Sequence, residues 1–241
     1  MMVALETMAP RLDEDFSAAR RFMVLGQVTP NGVTDPLLIG ALEAIPRELF
    51  VPPSQRHRAY ADQSVPLTEG PLTEEPLAER RDMMAPMPFA RLLQLALPQP
   101  GERALVLGAG TGYGAAVLAL MGLKVLAIES DQALVEAGQR ALKSSLTENR
   151  PDLVVGDPRL GAPAGAPFRL ILIEGAVRAV SPVLTSQLSE GGRLVTIRQG
   201  NGDVGRALML RRMGGSVSEI VGLDASASLL PAFLPEPGFV F

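Results

Sequence analysis

The chain contains no cysteine and a single histidine, His57. Disulfides, thiolate nucleophiles and cysteine–histidine metal sites are thereby excluded, and no metal is expected. No apolar run approaches the ~18–20 residues that span a bilayer. The first residues, MMVALETMAPRLDEDF, are too acidic and too short in apolar content for a secretory signal. The formal net charge is −4 with no long basic run. Nucleic acid is therefore not an expected partner, despite the short clusters Arg56-His57-Arg58 and Arg80-Arg81. There is no G-x-x-x-x-G-K-[ST] loop, which disfavours nucleoside triphosphate hydrolysis, and neither an internal repeat nor a heptad. What is present is a chain of 241 residues, 47% hydrophobic, enough for one sizeable core or a core with a small subdomain. A cytoplasmic protein that does not associate with membranes is expected.

The most informative stretch is GERALVLGAGTG, residues 101–112. An apolar run, Ala104 to Leu107, leads into Gly108-Ala109-Gly110-Thr111-Gly112. An apolar helical segment, Tyr113 to Met121, follows, and then a second apolar run, Lys124 to Ile128, ending in Glu129. The order is strand, glycine turn, helix, strand, acid. Glycines let backbone N–H groups approach a ligand at a helix N-terminus, and an acid at the next strand end can accept both ribose hydroxyls. A dinucleotide fingerprint, G-x-G-x-x-G, fits poorly: counted from Gly108 its third glycine falls on Tyr113, and counted from Gly110 it ends at Ala115. The compact G-x-G-x-G spacing fits S-adenosylmethionine (SAM), which carries no phosphate. A tight strand-to-helix connection without a ligand is the bland alternative.

Three regions are predicted: a leader over residues 1–14, a proline-broken helical region with a substrate arm over 15–98, and an α/β domain over 99–241, the last two forming one compact unit. Helices are predicted after Asp15 through Phe22, and from the Asp35-Pro36 cap to before Pro46. Residues 62–82, rich in proline and charge, read as a loop or extended arm, the kind of segment that serves as a lid. Further buried parallel strands are predicted at Asp152–Val155, Phe168–Ile173, Gly192–Ile197 and Ala207–Leu210, with helices at Asp131–Lys143 and Val180–Leu188. The fold class is α/β: a doubly wound, mostly parallel, Rossmann-like sheet with an N-terminal helical extension.

Asp157 follows Val154-Val155-Gly156 at the end of the third predicted sheet strand. An acid there can accept a hydrogen bond from an adenine amine, with Gly156 removing bulk beside the ring. The glycine turn, Glu129 and Asp157 thus fall at successive strand ends in chain order. His57, by contrast, reads as a surface residue. Arg56, Arg58, Arg80 and Arg81 read as solvated charge that could attract an acidic peptide. Met83, Met84 and Met87 read as packing at a helix start or as a soft substrate surface.

Several segments resemble the protein-L-isoaspartate O-methyltransferase family. They are AIPRELFVP (residues 44–52), Ala59-Tyr60-Ala61-Asp62, VVGDPRLG (154–161) with Ala166-Pro167-Phe168, and LSEGGRLV (188–195). The resemblance implies the SAM methyltransferase fold, SAM as cofactor held by Gly108, Ala109, Gly110, Thr111, Gly112, Glu129 and Asp157, and methyl transfer to the carboxylate of an isoaspartyl residue in a damaged protein or peptide. Family members carry Thr-Ile-Ser-x-Pro before the first sheet strand, with the serine meeting the substrate carboxylate. Here the segment is Asp82-Met83-Met84-Ala85-Pro86, so Met84 stands at the serine position and cannot donate a useful hydrogen bond. The catalytic residue is left open. Asp82 and Glu174 are candidate substrate contacts, and Glu174, where many members have a small neutral residue, could instead bind the cofactor's amino group. Two functions follow: a SAM-dependent carboxyl methyltransferase, with or without an altered acceptor, and a non-catalytic SAM-binding interaction module.

Overall fold

The computed structural model describes residues 16–69, 81–200 and 204–234. The leader, most of the arm and Phe239 and Phe241 lie outside these residues. Helix α1 spans Ser17–Met23 and continues to Val28 through a wider π turn. Helix α2, Pro36–Ala44, starts as the sequence indicates: the Asp35 carboxylate accepts from the N–H groups of Leu37 (2.8 Å) and Leu38 (3.1 Å), with proline at the first helical position. The AIPRELFVP segment contributes a 3₁₀ turn, Arg47–Phe50, followed by another, Pro53–Arg58. A two-residue ladder joins β1, Val65–Pro66, to β2, Asp82–Met83, so the two ends of the arm are paired. Helix α3, Pro86–Ala96, leads into the α/β unit.

That unit runs β3 (Arg103–Leu107), α4 (Tyr113–Leu120), β4 (Lys124–Glu129), α5 (Gln132–Ser145), β5 (Asp152–Val155), β6 (Phe168–Val177), α6 (Pro182–Thr185), β7 (Leu188–Arg198), β8 (Arg206–Met213) and β9 (Ser216–Asp224). The sheet order is β5-β4-β3-β6-β7-β8-β9. Strands β3 to β7 are parallel, and β8 and β9 are antiparallel additions. The run Ala207–Leu210, expected to be parallel, is therefore antiparallel. The physical reason is length: the connection 199–205 is shorter than the roughly dozen residues that a parallel crossover requires. The helix expected over Val180–Leu188 is only Pro182–Thr185, because the strand that follows begins at Leu188.

Period-two alternation divides the sheet into two apolar faces. Ala104, Val106, Leu170 and Leu172 join one core with α2, α3, α4, α5 and the N-terminal helical residues Met23 and Val28. Leu105, Leu107, Ile171 and Ile173 face the other way, onto Phe168, Leu184, Leu188 and Leu230. Helix α4 is apolar all round and buried from Tyr113 to Ala119, as a helix sandwiched between a sheet and another helical layer must be. Among the described residues, no helix is long and apolar enough to cross a membrane.

Candidate active site

The strand order reverses between β3, whose chain continues to β4 on one side, and β6 on the other. Ligands of open α/β sheets bind outside the carboxyl ends of the strands at such a switch point. The glycine turn leaves β3 here. Gly108, Gly110 and Gly112 adopt φ of 63°, 54° and 85°, left-handed values that a residue with a Cβ adopts only under strain. The Ala109 N–H donates to the Ile128 carbonyl (3.1 Å), which ties the turn to the end of β4. Thr111 Oγ1 donates to the Phe50 carbonyl (2.5 Å), so the threonine anchors the turn to the AIPRELFVP segment. Gly112 caps α4 and lies against Leu153 and Leu142.

Glu129, 1% exposed, ends β4 and points back to the turn. Its Oε2 accepts from the Gly110 N–H (2.7 Å), and its Oε1 accepts from the N–H groups of Ser130 (2.8 Å) and Asp131 (3.3 Å). Arg81 completes the shell: Nη2 lies 2.5 Å from Glu129 Oε2 and donates also to the Gly108 carbonyl (3.0 Å). Burial alone would raise the Glu129 carboxyl, but the Arg81 charge and these hydrogen bonds outweigh it and hold it below the usual carboxylate range. Arg81 was expected to be solvated charge. It is instead buried against the acid that the sequence assigns to a ribose, and nothing in its sequence context signals this.

Asp157 lies one strand further out. Gly156 N–H donates to the Glu129 carbonyl (3.0 Å), which sets Asp157 next to the β4 end. The Asp157 carboxylate is partly exposed and engaged by Arg159, whose Nη2 is 2.9 Å from Oδ2 and whose backbone N–H donates to Oδ1 (2.9 Å). Arg159 holds it below the usual aspartate range.

Over the turn lie side chains of the arm and of the chain's return from β9. A Cβ on Gly110 would lie 2.6 Å from Leu67 Cδ1, and one on Gly108 would lie 2.9 Å from Leu230 Cδ1. Among the described residues, a crevice of about 10 Å³ lies there, lined by Leu67, Asp82, Met83, Tyr113, Glu174 and residues 108–111. Asp82 sits at its rim and accepts from the Ser228 hydroxyl (2.5 Å). Met84, 2% exposed, turns its side chain into the core, while its carbonyl accepts from Arg47 Nη2. His57 is exposed, as expected.

Glu174, in β6 directly after the Leu107–Ile173 register pair, comes beside Gly108. It is buried to 5% exposure, and burial pushes its carboxyl up to about 8 against the opposing charge of Arg47 and a hydrogen bond from the Gly114 N–H. Arg47, with no exposed surface, lies over the Tyr113 ring, 4.7 Å from its centroid, and donates through Nε to the Ala59 carbonyl (2.6 Å). Neither Arg47 nor Tyr113 was singled out from the sequence as a site residue. A separate cleft of about 450 Å³ opens beside Thr111 and Leu67, with Phe50, Pro52, Arg56 and Arg140 on its walls.

A profile of the family described as protein-L-isoaspartate(D-aspartate) O-methyltransferase matches residues 20–224. A Methylorubrum populi protein named protein-L-isoaspartate O-methyltransferase is 39% identical over 178 residues, covering 74% of this chain and 78% of its own. An Anaeromyxobacter protein named protein-L-isoaspartate O-methyltransferase 1 is 34% identical over 212 residues, with 88% and 92% covered. A Plasmodium falciparum crystal structure in complex with S-adenosyl-L-homocysteine shares the fold, with a TM-score of 0.71 at 16% identity over 89% of this chain and 97% of that one. The chain belongs to the protein-L-isoaspartate(D-aspartate) O-methyltransferase family.

Proposed function

We propose that this protein transfers a methyl group from SAM to the carboxylate of an isoaspartyl residue in a protein or peptide. The observation that carries the reading, beside family membership, is the Gly110 N–H to Glu129 contact (2.7 Å) at the switch point. It sets a close-approach turn and a ribose-type acid against each other, with Asp157 one strand beyond.

The residues fit the cofactor's parts. The turn Gly108–Gly112 offers close backbone approach, Glu129 two carboxylate oxygens for ribose hydroxyls, and Asp157 an acceptor for the adenine amine. When bound, SAM supplies an electrophilic methyl on a sulfonium. The acceptor carboxylate is already ionised at neutral pH, so no protein base is required. The chain's task is alignment and exclusion of water. Leu67 and Arg81, at the two ends of the arm, occupy the space over the turn, so ligand entry displaces both and frees Glu129. Met84 is turned into the core and gives the acceptor no hydrogen bond. The cleft beside Thr111, with guanidinium groups at Arg56 and Arg140, offers a peptide path next to the turn. Nothing observed favours a non-catalytic module.

The test is transfer of radiolabelled methyl from SAM to an isoaspartyl peptide, with the ordinary aspartyl peptide as control. Incorporation that depends on the isoaspartyl linkage is expected. Absence of transfer from protein that binds SAM would overturn the repair reading.

A further inference from the structure

Arg47, Tyr113 and Glu174 form one buried cluster, in which Arg47 and Tyr113 engage each other and Glu174 Oε2 lacks a hydrogen-bond partner. Orphaned polar atoms are costly to bury and normally find partners. The cluster is packed closely. A Cβ at Gly114, in the first turn of α4, would lie 2.8 Å from Glu174 Cδ, so only glycine there admits the carboxylate. Tyr113 and Glu174 both line the crevice under the glycine turn.

The sheet order gives the crevice a meaning. In the proposed function, adenine lies at the end of β5 and ribose at the end of β4, and the glycine turn leaves β3. The order β5-β4-β3-β6 then carries the remaining, amino-acid end of the ligand to the end of β6, where Glu174 stands. Of that end's two charged groups, the ammonium both finds in Glu174 Oε2 an acceptor without a partner and stabilises the ionised carboxylate, whereas a carboxylate repels that ionised form and can take only the one hydrogen bond of the protonated one.

We propose that Glu174 is the receptor for the cofactor's α-ammonium group, held for that purpose between Gly114 and Arg47; the proposal rests on the methyltransferase reading above. The charged or titratable groups facing Glu174 among the described residues are Arg47 from the 3₁₀ turn, Tyr113 from α4, Arg81 and Asp82 from the end of the arm, and Glu129 from β4. The ligand-free carboxyl, pushed up to about 8 by burial, keeps its proton at neutral pH. An arriving ammonium stabilises the ionised form, so binding expels the proton to solvent.

The experiment is titration calorimetry of the full chain at pH 7 in two buffers of different ionisation enthalpy, which counts protons released. The probes are SAM, S-adenosylhomocysteine, which keeps the ammonium but not the sulfonium, and 5′-methylthioadenosine, which lacks the amino-acid end. Release approaching one proton is expected with the first two and none with the third. Glu174→Gln is expected to abolish the release and to weaken SAM binding roughly tenfold or more. Release with SAM alone, equal release with methylthioadenosine, or none with any ligand that binds would overturn the assignment and leave the methyltransferase reading standing. Failure of all three to bind would overturn both. The proton count needs no variant, so it decides the matter even if Glu174→Gln fails to fold.

Discussion

Arg81 Nη2 lies 2.5 Å from Glu129 Oε2, in the position that a ribose hydroxyl takes in the proposed function. The pair therefore has two consequences of opposite direction: it stabilises the ligand-free chain and competes with the ligand. Arg81→Ala is expected to cost about 2–3 kcal/mol of stability at neutral pH, because it leaves a buried carboxylate without its cation. The same change is expected to tighten SAM binding on the order of tenfold, since a charged hydrogen bond no longer has to be broken. Chemical denaturation and calorimetry on one preparation check both. Weaker SAM binding in the variant would mean that Arg81 contacts the ligand instead of competing with it.

The two buried carboxylates give pH dependences of opposite sign. Glu129 is lowered from 4.5 in the folded chain, so its contribution is present above that value and is lost as pH falls through the lower folded one. Glu174 is raised from 4.5 to about 8. Its contribution is present below 4.5 and declines as pH rises toward 8, since unfolding lets a proton go in that window. Glu174→Gln does not titrate and is expected to escape the decline, gaining on the order of 4 kcal/mol over the parent between pH 5 and 8.5. Urea unfolding at both pH values measures it. Parallel behaviour of parent and variant would show that the Glu174 carboxyl is not raised.

Asp157 separates a ligand-binding role from a structural one. It is partly exposed, and its described partner is Arg159, two residues on. Asp157→Ala is therefore expected to leave thermal stability within about 0.5 kcal/mol of the parent, as substitutions away from buried networks do. If the carboxylate takes the adenine amine, SAM affinity drops about tenfold, the cost of one hydrogen bond to a charged group. Calorimetry showing unchanged affinity would remove Asp157 from the cofactor site.

The β3–turn–α4–β4 unit was legible in the sequence because its signals reinforce one another. Apolar runs mark strands buried on both faces, glycines at fixed spacing mark the turn, and Glu129 marks a strand end. Of the antiparallel extension, the run Ala207–Leu210 was legible as a strand but not its direction, and β9 was not legible at all. Strand β9, SVSEIVGLD, is an edge strand, and most of its residues are exposed, so no buried face imposes a pattern on its sequence. In the candidate site, the meeting of Gly110 and Glu129 was legible, because each stands at a strand end where its residue type has a specific use. The site was illegible where the partner arrives from far along the chain. Arg81 meets Glu129 across 48 positions and Arg47 meets the Met84 carbonyl across 37, and an arginine's own neighbours do not distinguish such a role from solvated charge.

Thr111 was expected to hold cofactor through its place in the turn, but its side chain is spent otherwise. Thr111 Oγ1 donates to the Phe50 carbonyl at 2.5 Å, and both residues are buried. The bond joins the glycine turn to the segment that walls the cleft proposed for the peptide, so it fixes the two halves of the site relative to each other. Thr111→Val keeps the shape and removes the donor, leaving the Phe50 carbonyl unpaired, and is expected to cost about 1–3 kcal/mol. Thr111→Ser keeps the donor and loses one methyl, and is expected to cost only about 0.8 kcal/mol. Thermal unfolding of the two variants side by side distinguishes the causes: a large loss in valine alone assigns the stability to the hydrogen bond, while equal losses would assign it to packing of the threonine methyl and release Thr111 Oγ1 for the ligand.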